Sequence, residues 1–150
     1  MKHIWLFFLF VFLGLTAQAQ FNTKPVETEI YILTCSPGED LYSVFGHAAI
    51  VVKKPTADFV YNYGTFNFDA ENFYLKFAKG QLPYYLDKEK FGYFQYGYIL
   101  EQRQIWAQKL NFTELQKEKL IALLEKNVLP ENAQYKYDFF YDNCATRLID

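Results

Sequence analysis

The sequence is poor in the side chains that bind metal ions and in the loops that bind phosphate. Its two cysteines and two histidines are not at the spacings of a zinc site. Its seven glycines form no glycine-rich phosphate loop. The 15 lysines and arginines do not outnumber the 17 aspartates and glutamates, so the chain lacks the basic surplus of a nucleic-acid-binding protein. We therefore expect no metal, no cofactor and no nucleic-acid partner.

The first 19 residues have the composition of a secretory signal peptide. A short basic start precedes an apolar run from 4 to 15, and Ala17-Gln18-Ala19 has the small side chains that signal peptidases require. The run is short for a membrane span, although an N-terminal anchor is the alternative. No cysteine follows the run, which excludes a lipoprotein signal. We predict export to the periplasm, cleavage after about Ala19, and one domain over residues 20–150.

Removal of this leader changes the chemistry available to the domain. The leader's one charged residue is a lysine, so the formal net charge would change from −2 to −3. The leader also contains His3, which leaves His47 as the sole histidine of the exported domain.

The remaining chain predicts an α+β domain. Alternating apolar residues predict strands, and the second and third of these are close enough in sequence to form an antiparallel pair. Pro83 places the fourth strand at a sheet edge. The predicted strands are 29–33, 46–52, 59–63, 82–86 and 93–101.

Helices are predicted between and after these strands. Thr113 and Gln116 match a capping box before a helix over 114–127, whose apolar face would hold Leu115, Leu120, Leu123 and Leu124. A helix over 69–79 ends at Gly80, and 40–45 has room for one helical turn. A further helix should begin near Asn143.

Aromatic residues make up 21% of the sequence, and many stand in close pairs. One interpretation is a core rich in β-sheet, since aromatic side chains suit a pleated, half-buried surface. The other is a groove that faces lipid or holds an acyl chain, because tyrosine and tryptophan favour interfaces.

Cys144 has the setting of a reactive thiol. Asp142 or Asn143 can cap the helix that begins there, and a helix start favours a thiolate through its free N–H groups and its dipole. The same N–H groups could hold the oxyanion of a tetrahedral intermediate.

His47 is the candidate general base for this thiol. It lies at the start of a predicted strand among small residues, where another element can approach closely. His47, Ala49 and Val51 should share one face of the strand, and a helix carrying Cys144 is expected on that face. An ordinary structural histidine is the alternative.

Several neighbours of His47 could complete the site. Asn62 on the next strand could accept the ring N–H and orient the imidazole, or it could simply face solvent. Four further residues are expected to line the substrate site: Tyr42, Ser43, Tyr63 and Asn143.

Cys35 supports a competing, structural interpretation. In an oxidising compartment, a Cys35–Cys144 disulfide would close a loop of over a hundred residues and stabilise the fold by about 4–5 kcal/mol. As a nucleophile, Cys35 is the weaker candidate because its Ser-Pro-Gly surroundings form a turn without an evident helix start.

Six short segments, in order, resemble the Lnb N-terminal periplasmic domain family over nearly the whole exported chain. They are Thr34-Cys35-Ser36-Pro37-Gly38, Leu41-Tyr42-Ser43, Phe45-Gly46-His47-Ala48-Ala49, Tyr61-Asn62-Tyr63-Gly64-Thr65-Phe66, Asn72-Phe73-Tyr74 and Tyr141-Asp142-Asn143-Cys144-Ala145-Thr146-Arg147.

The resemblance implies a permuted papain-like (NlpC-like) fold, with an antiparallel sheet and packed helices. It also implies lipoprotein N-acylation at the membrane surface. Cys144 would take an acyl chain from a phospholipid as a thioester and pass it to the N-terminal amine of a lipoprotein, with His47 as base and acid. Family members continue beyond this motif into transmembrane helices, whereas this chain ends six residues after Cys144. We expect it to be a C-terminally incomplete piece of the active enzyme.

Two other functions stay open on the sequence. The first is a papain-like cysteine amidase or peptidase that cleaves cell-wall peptides. The second is a non-catalytic secreted domain held together by the Cys35–Cys144 disulfide.

Overall fold

The computed structural model of the protein describes residues 27–149. The predicted signal peptide lies outside the described residues. The described part is an α+β domain with one open antiparallel sheet of six strands, as the class prediction required. Within residues 27–149, no helix has the length and apolar character needed to cross a membrane.

The strands are ordered β5-β1-β2-β3-β4-β6 across the sheet, and every neighbouring pair is antiparallel. Their bounds are β1 Glu29–Cys35, β2 His47–Lys53, β3 Asp58–Phe66, β4 Tyr84–Lys90, β5 Ile105–Lys109 and β6 Gln134–Tyr135. The helices are α1 Phe73–Ala78, α2 Phe91–Leu100, α3 Glu114–Asn127 and α4 Pro130–Ala133, followed by a 3₁₀ helix over Thr146–Leu148.

The first three strands confirm the sequence prediction, including the antiparallel pairing of β2 with β3. β3 continues past Gly64, where the sequence had suggested its end. Gly64 has φ +88°, and the register with β4 shifts between Tyr63 and Thr65. The glycine therefore accommodates a β-bulge, after which the strand resumes its pairing.

The prediction of an edge strand at Pro83 was wrong. Pro83 lies just before β4, so its missing N–H removes no bond from the sheet. β4 then pairs with β3 on one side and with the short β6 on the other.

The prediction of a strand over 93–101 was also wrong, because this segment is helix α2. Phe91, Phe94 and Tyr98 recur with helical spacing and pack against one face of the sheet. Aromatic residues suggest a strand by propensity alone, but packing on a sheet face outweighs that weak preference.

The other two predicted helices form with adjustments. α3 begins at the capping box of Thr113 and Gln116, as expected. Its buried side includes Leu124, whereas Leu115 and Leu123 are exposed, so the predicted apolar face was only partly correct. α1 is shorter than predicted, beginning after Asn72.

The sheet carries a separate apolar cluster on each face. α3 covers the first cluster, which contains Ile30, Ile50, Val52, Tyr61, Tyr63, Leu86 and Leu124. α2 covers the second, which contains Leu33, Cys35, Ala49, Val51, Val60 and Phe94. A third, mainly aromatic cluster of Phe73, Phe77, Leu82 and Tyr84 lies beside α1.

Candidate active site

A cavity of about 750 Å³ lies at the end of the sheet where β1 ends, β2 begins and β3 bulges. Its size is that of a small-molecule site, and its polar groups are few. His47, Cys144, Asn143 and Cys35 line it together with a largely aromatic wall. The aromatic members are Tyr42, Phe45, Phe66, Phe77, Tyr84, Tyr137, Phe139 and Phe140.

His47 begins β2 and is oriented by Asn62 on β3. The Nε2 atom of His47 lies 2.5 Å from Oδ1 of Asn62, which can only accept, so Nε2 carries the proton and Nδ1 is left as the basic nitrogen. Burial lowers the pKa of His47 and the nearby Arg103 guanidinium lowers it further, while the hydrogen bond to Asn62 opposes both effects. The imidazole is therefore neutral near pH 7, as a general base must be.

Cys144 lies in a turn that leads into the 3₁₀ helix, and Asn143 caps this turn. The Oδ1 atom of Asn143 accepts from the N–H of Ala145 at 2.8 Å and from the N–H of Thr146 at 3.0 Å. Asp142 instead pairs with the Arg147 guanidinium. The predicted cap is present, but it occupies two of the N–H groups that were expected to be free for an oxyanion.

The turn that carries Cys144 packs on the opposite face of the sheet from the one predicted. His47 shares its side of β2 with Ala49 and Val51, and α2 covers that side. Cys144 instead packs against the cluster on the α3 side. Cys144 reaches the cavity beside Gly64. The Cβ atom of Cys144 lies 3.6 Å from the position that a Cβ atom on residue 64 would occupy.

Cys35 is the second thiol of the cavity and lies opposite His47 in the register of β1 and β2. Burial raises the pKa of Cys35, and a hydrogen bond with Tyr98 opposes this effect. Such a thiol stays protonated near neutral pH. The half-buried Cys144 and the buried Cys35 are both free thiols.

Of the four residues expected to bind substrate, two line the cavity and two lie in the interior of the domain. Tyr42 and Asn143 line the cavity, and the Tyr42 hydroxyl donates to Asp40 at 2.7 Å. Ser43 is buried inside its own loop, where its hydroxyl donates to the Asp40 carbonyl. Tyr63 belongs to the core on the α3 side, and its hydroxyl accepts from Asn127 at 3.0 Å. Ser43 and Tyr63 therefore support the fold and do not face the cavity.

Two residues of this region escaped the sequence analysis. Tyr137 lines the cavity next to Cys144, and the alternation of aromatic residues at 135, 137 and 139 was the available signal for one extended face. Arg103 donates from Nε to the carbonyl of Ser36 at 2.9 Å and stacks on the ring of Tyr98. No sequence pattern pointed to Arg103, because Ser36, the residue that it joins to this region, is 67 residues away in the chain.

Comparison with known proteins agrees with the motif pattern. No curated protein and no solved structure matches the chain. A family model described as the Lnb N-terminal periplasmic domain matches residues 16–150, which is nearly the whole sequence, and this supports a periplasmic location. The chain therefore belongs to the Lnb N-terminal periplasmic domain family.

Proposed function

We propose that this domain transfers an acyl chain through a thioester on Cys144, from a phospholipid donor to the N-terminal amine of a lipoprotein. The observation that carries the proposal is the shared cavity, in which the only histidine of the exported chain and a capped, half-buried cysteine meet an aromatic wall. A general base, a thiol and an apolar pocket are the three parts that this chemistry requires.

The first half of the reaction forms the thioester. The Nδ1 atom of His47 takes the thiol proton, and the Cys144 sulfur attacks the ester carbonyl carbon of the phospholipid. A carbon–sulfur bond forms and the carbon–oxygen ester bond breaks. His47 returns the proton to the departing lysophospholipid oxygen.

The second half transfers the acyl chain. The amine of the lipoprotein attacks the thioester carbon, a carbon–nitrogen bond forms and the carbon–sulfur bond breaks. The imidazole of His47 accepts the amine proton and gives it to the Cys144 sulfur. The enzyme returns to its starting state without a redox step or a bound cofactor.

The rim of the cavity suits a membrane-bound substrate. Phe45 and Phe140 line the cavity and are each at least 80% exposed, and the rings of Phe45 and Phe139 lie 6.0 Å apart. Exposed aromatic side chains of this kind favour the interface between lipid and water. The acyl donor would enter from the bilayer surface.

The arrangement also supports a permuted papain-like fold. The histidine lies on an early strand and the cysteine at a later helical turn, with an amide that orients the imidazole. The same three roles define thiol–imidazole sites on several folds, so the proposal concerns the roles and the chain order of the residues.

The test compares lipoprotein N-termini in a strain that lacks the gene and has no second copy. Complementation with the wild-type sequence should restore the N-linked acyl chain in mass spectra, whereas Cys144→Ala should not. Cys35→Ala provides the matched control, since it removes the other thiol of the cavity and should retain activity.

The proposal fails if N-acylation is unchanged in the deletion strain. Release of peptidoglycan peptides that depends on Cys144 would favour an amidase or peptidase in its place. Equal restoration by Cys144→Ala and by the wild type would exclude any thiol mechanism.

A further inference from the structure

We infer that the hydroxyl of Tyr137 is the second oxyanion donor of this site and acts together with the main-chain N–H of Cys144. The inference rests on the proposed function, because it assigns a group to the tetrahedral intermediate of that reaction. It adds a catalytic residue that the family motifs quoted above do not contain.

A side chain has to supply the second oxyanion donor, because the Asn143 cap already occupies N–H groups of the turn. A helix start ordinarily offers several free N–H groups to an oxyanion. Here Asn143 accepts from both Ala145 and Thr146, and the N–H of Arg147 donates to the Asn143 carbonyl. The N–H of Cys144 is the one that has no acceptor inside this turn, and it faces the Tyr137 hydroxyl. A single main-chain donor leaves the oxyanion without the second donor that such sites commonly provide.

Tyr137 lies where the missing donor is needed. A Cβ atom on residue 64 would lie 3.5 Å from the Cε2 atom of Tyr137 and 3.6 Å from the Cβ atom of Cys144, so both residues adjoin Gly64 on the same side. Its ring stacks on Tyr84 with centroids 4.4 Å apart, which fixes the direction of the hydroxyl. The hydroxyl lies beside both the thiol and the N–H of Cys144. It therefore lies beside the sulfur to which the reacting carbon becomes bonded.

Two other polar side chains of the cavity wall already have partners. The Tyr42 hydroxyl donates to Asp40, and the Asn143 amide donates to the carbonyl of Phe139 at 3.0 Å. Tyr135 also lies near Gly64, but it does not line the cavity. Tyr137 is the hydroxyl of the cavity wall that adjoins Cys144, and the cavity-lining Tyr84 stacks on its ring.

The ionisation of Tyr137 suits this role. Burial raises the pKa of Tyr137, and the adjacent Cys144 raises it further, so the hydroxyl keeps its proton. When the sulfur adds to the carbonyl carbon, the carbon–oxygen π electrons move to oxygen, and Tyr137 donates a hydrogen bond to that oxyanion. When the carbon–oxygen double bond re-forms, the leaving group departs and the tyrosine is unchanged.

The experiment measures acylation of Cys144 by p-nitrophenyl butyrate, followed as nitrophenolate release in single turnovers. Tyr137→Phe retains the stacked ring and should slow acylation about a hundredfold, the usual effect of losing one oxyanion donor. Tyr135→Phe is the matched control, because it removes a neighbouring hydroxyl outside the cavity and should leave the rate unchanged.

Alkylation of Cys144 by iodoacetamide separates this role from a structural one. That reaction uses the same thiol but forms no oxyanion, so Tyr137→Phe should alkylate at the wild-type rate. Equal slowing of alkylation and acylation would mean that Tyr137 acts on the thiol, which overturns the inference. Acylation at the wild-type rate in Tyr137→Phe would overturn it as well.

The outcome also distinguishes the two proposals. Loss of acylation in Cys144→Ala with full activity in Tyr137→Phe leaves the proposed function intact and rejects the inference alone. Nitrophenolate release that is equal in wild type and Cys144→Ala would reject the proposed function, and the inference with it.

Discussion

At the scale of single residues, the hydroxyl of Tyr135 is unusual because it is buried and has no hydrogen-bond partner among the described residues. The Arg147 guanidinium covers the ring of this tyrosine at 4.1 Å. Burying an unsatisfied hydroxyl costs about 1–3 kcal/mol. Tyr135→Phe should therefore leave the free energy of unfolding unchanged or raise it by about 1 kcal/mol, measured by urea denaturation.

The control for this prediction is a tyrosine whose hydroxyl does have a partner. The ring of Tyr63 lies 6.2 Å from that of Tyr135, but its hydroxyl accepts a hydrogen bond from Asn127. Tyr63→Phe should lower the free energy of unfolding by about 1 kcal/mol. Equal destabilisation by both substitutions would show that the Tyr135 hydroxyl has a partner in solution.

The pH dependence of stability should report on His47. Folding lowers its pKa, chiefly through burial, from the value of about 6.5 of an exposed imidazole. The unfolded chain therefore binds this proton more tightly, and stability should fall as the pH decreases below about 6.5. The slope from this one group cannot exceed about 1.4 kcal/mol per pH unit.

The measurement is the unfolding free energy of the wild type and of His47→Gln between pH 7.5 and 5. The wild-type curve should fall more steeply with acid than the variant curve, because both chains share every other titrating group. Parallel curves would contradict the pKa shift.

At the scale of elements, α2 is a helix where the sequence predicted a strand, and a glycine substitution can test its helical conformation. Gly97 lies inside α2 with open space around its Cα and an ordinary helical φ. Gly97→Ala should raise the free energy of unfolding by about 0.5–1 kcal/mol, because alanine loses less backbone entropy in a helix. Thermal or urea denaturation would measure this.

Gly80 is the matched control for Gly97. It also has open space, but its φ is +63°, which alanine adopts only with strain. Gly80→Ala should therefore lower stability. Destabilisation by Gly97→Ala would contradict the open, helical setting of Gly97.

At the scale of the whole molecule, the two thiols test whether the domain is a catalyst or a disulfide-linked scaffold. A thiol reagent should modify one cysteine of the native chain, the half-buried Cys144, and should reach Cys35 only after unfolding, since Cys35 is 2% exposed. Cys144→Ala should lose the fast reaction. Two unreactive cysteines in the denatured, unreduced chain would establish the disulfide.

Much of the architecture was predictable because its signals are local. The capping box at Thr113 and Gln116, the alternation in β1 to β3 and the glycine after α1 act over a few residues. α2 was mispredicted because its aromatic residues satisfy strand and helix propensity alike, and the sheet face that they cover selects the helix.

The sequence alone determined the candidate pair of His47 and Cys144, the amide at Asn62 and a cap at Asp142 or Asn143, because each depends on residue type and on near neighbours. The structure selected Asn143 as the cap. Only the tertiary structure decided which face Cys144 occupies, that Ser43 and Tyr63 belong to the interior, and that Tyr137 lies beside the thiol. Those facts depend on the bulge at Gly64 and on contacts between distant segments, which local patterns do not encode.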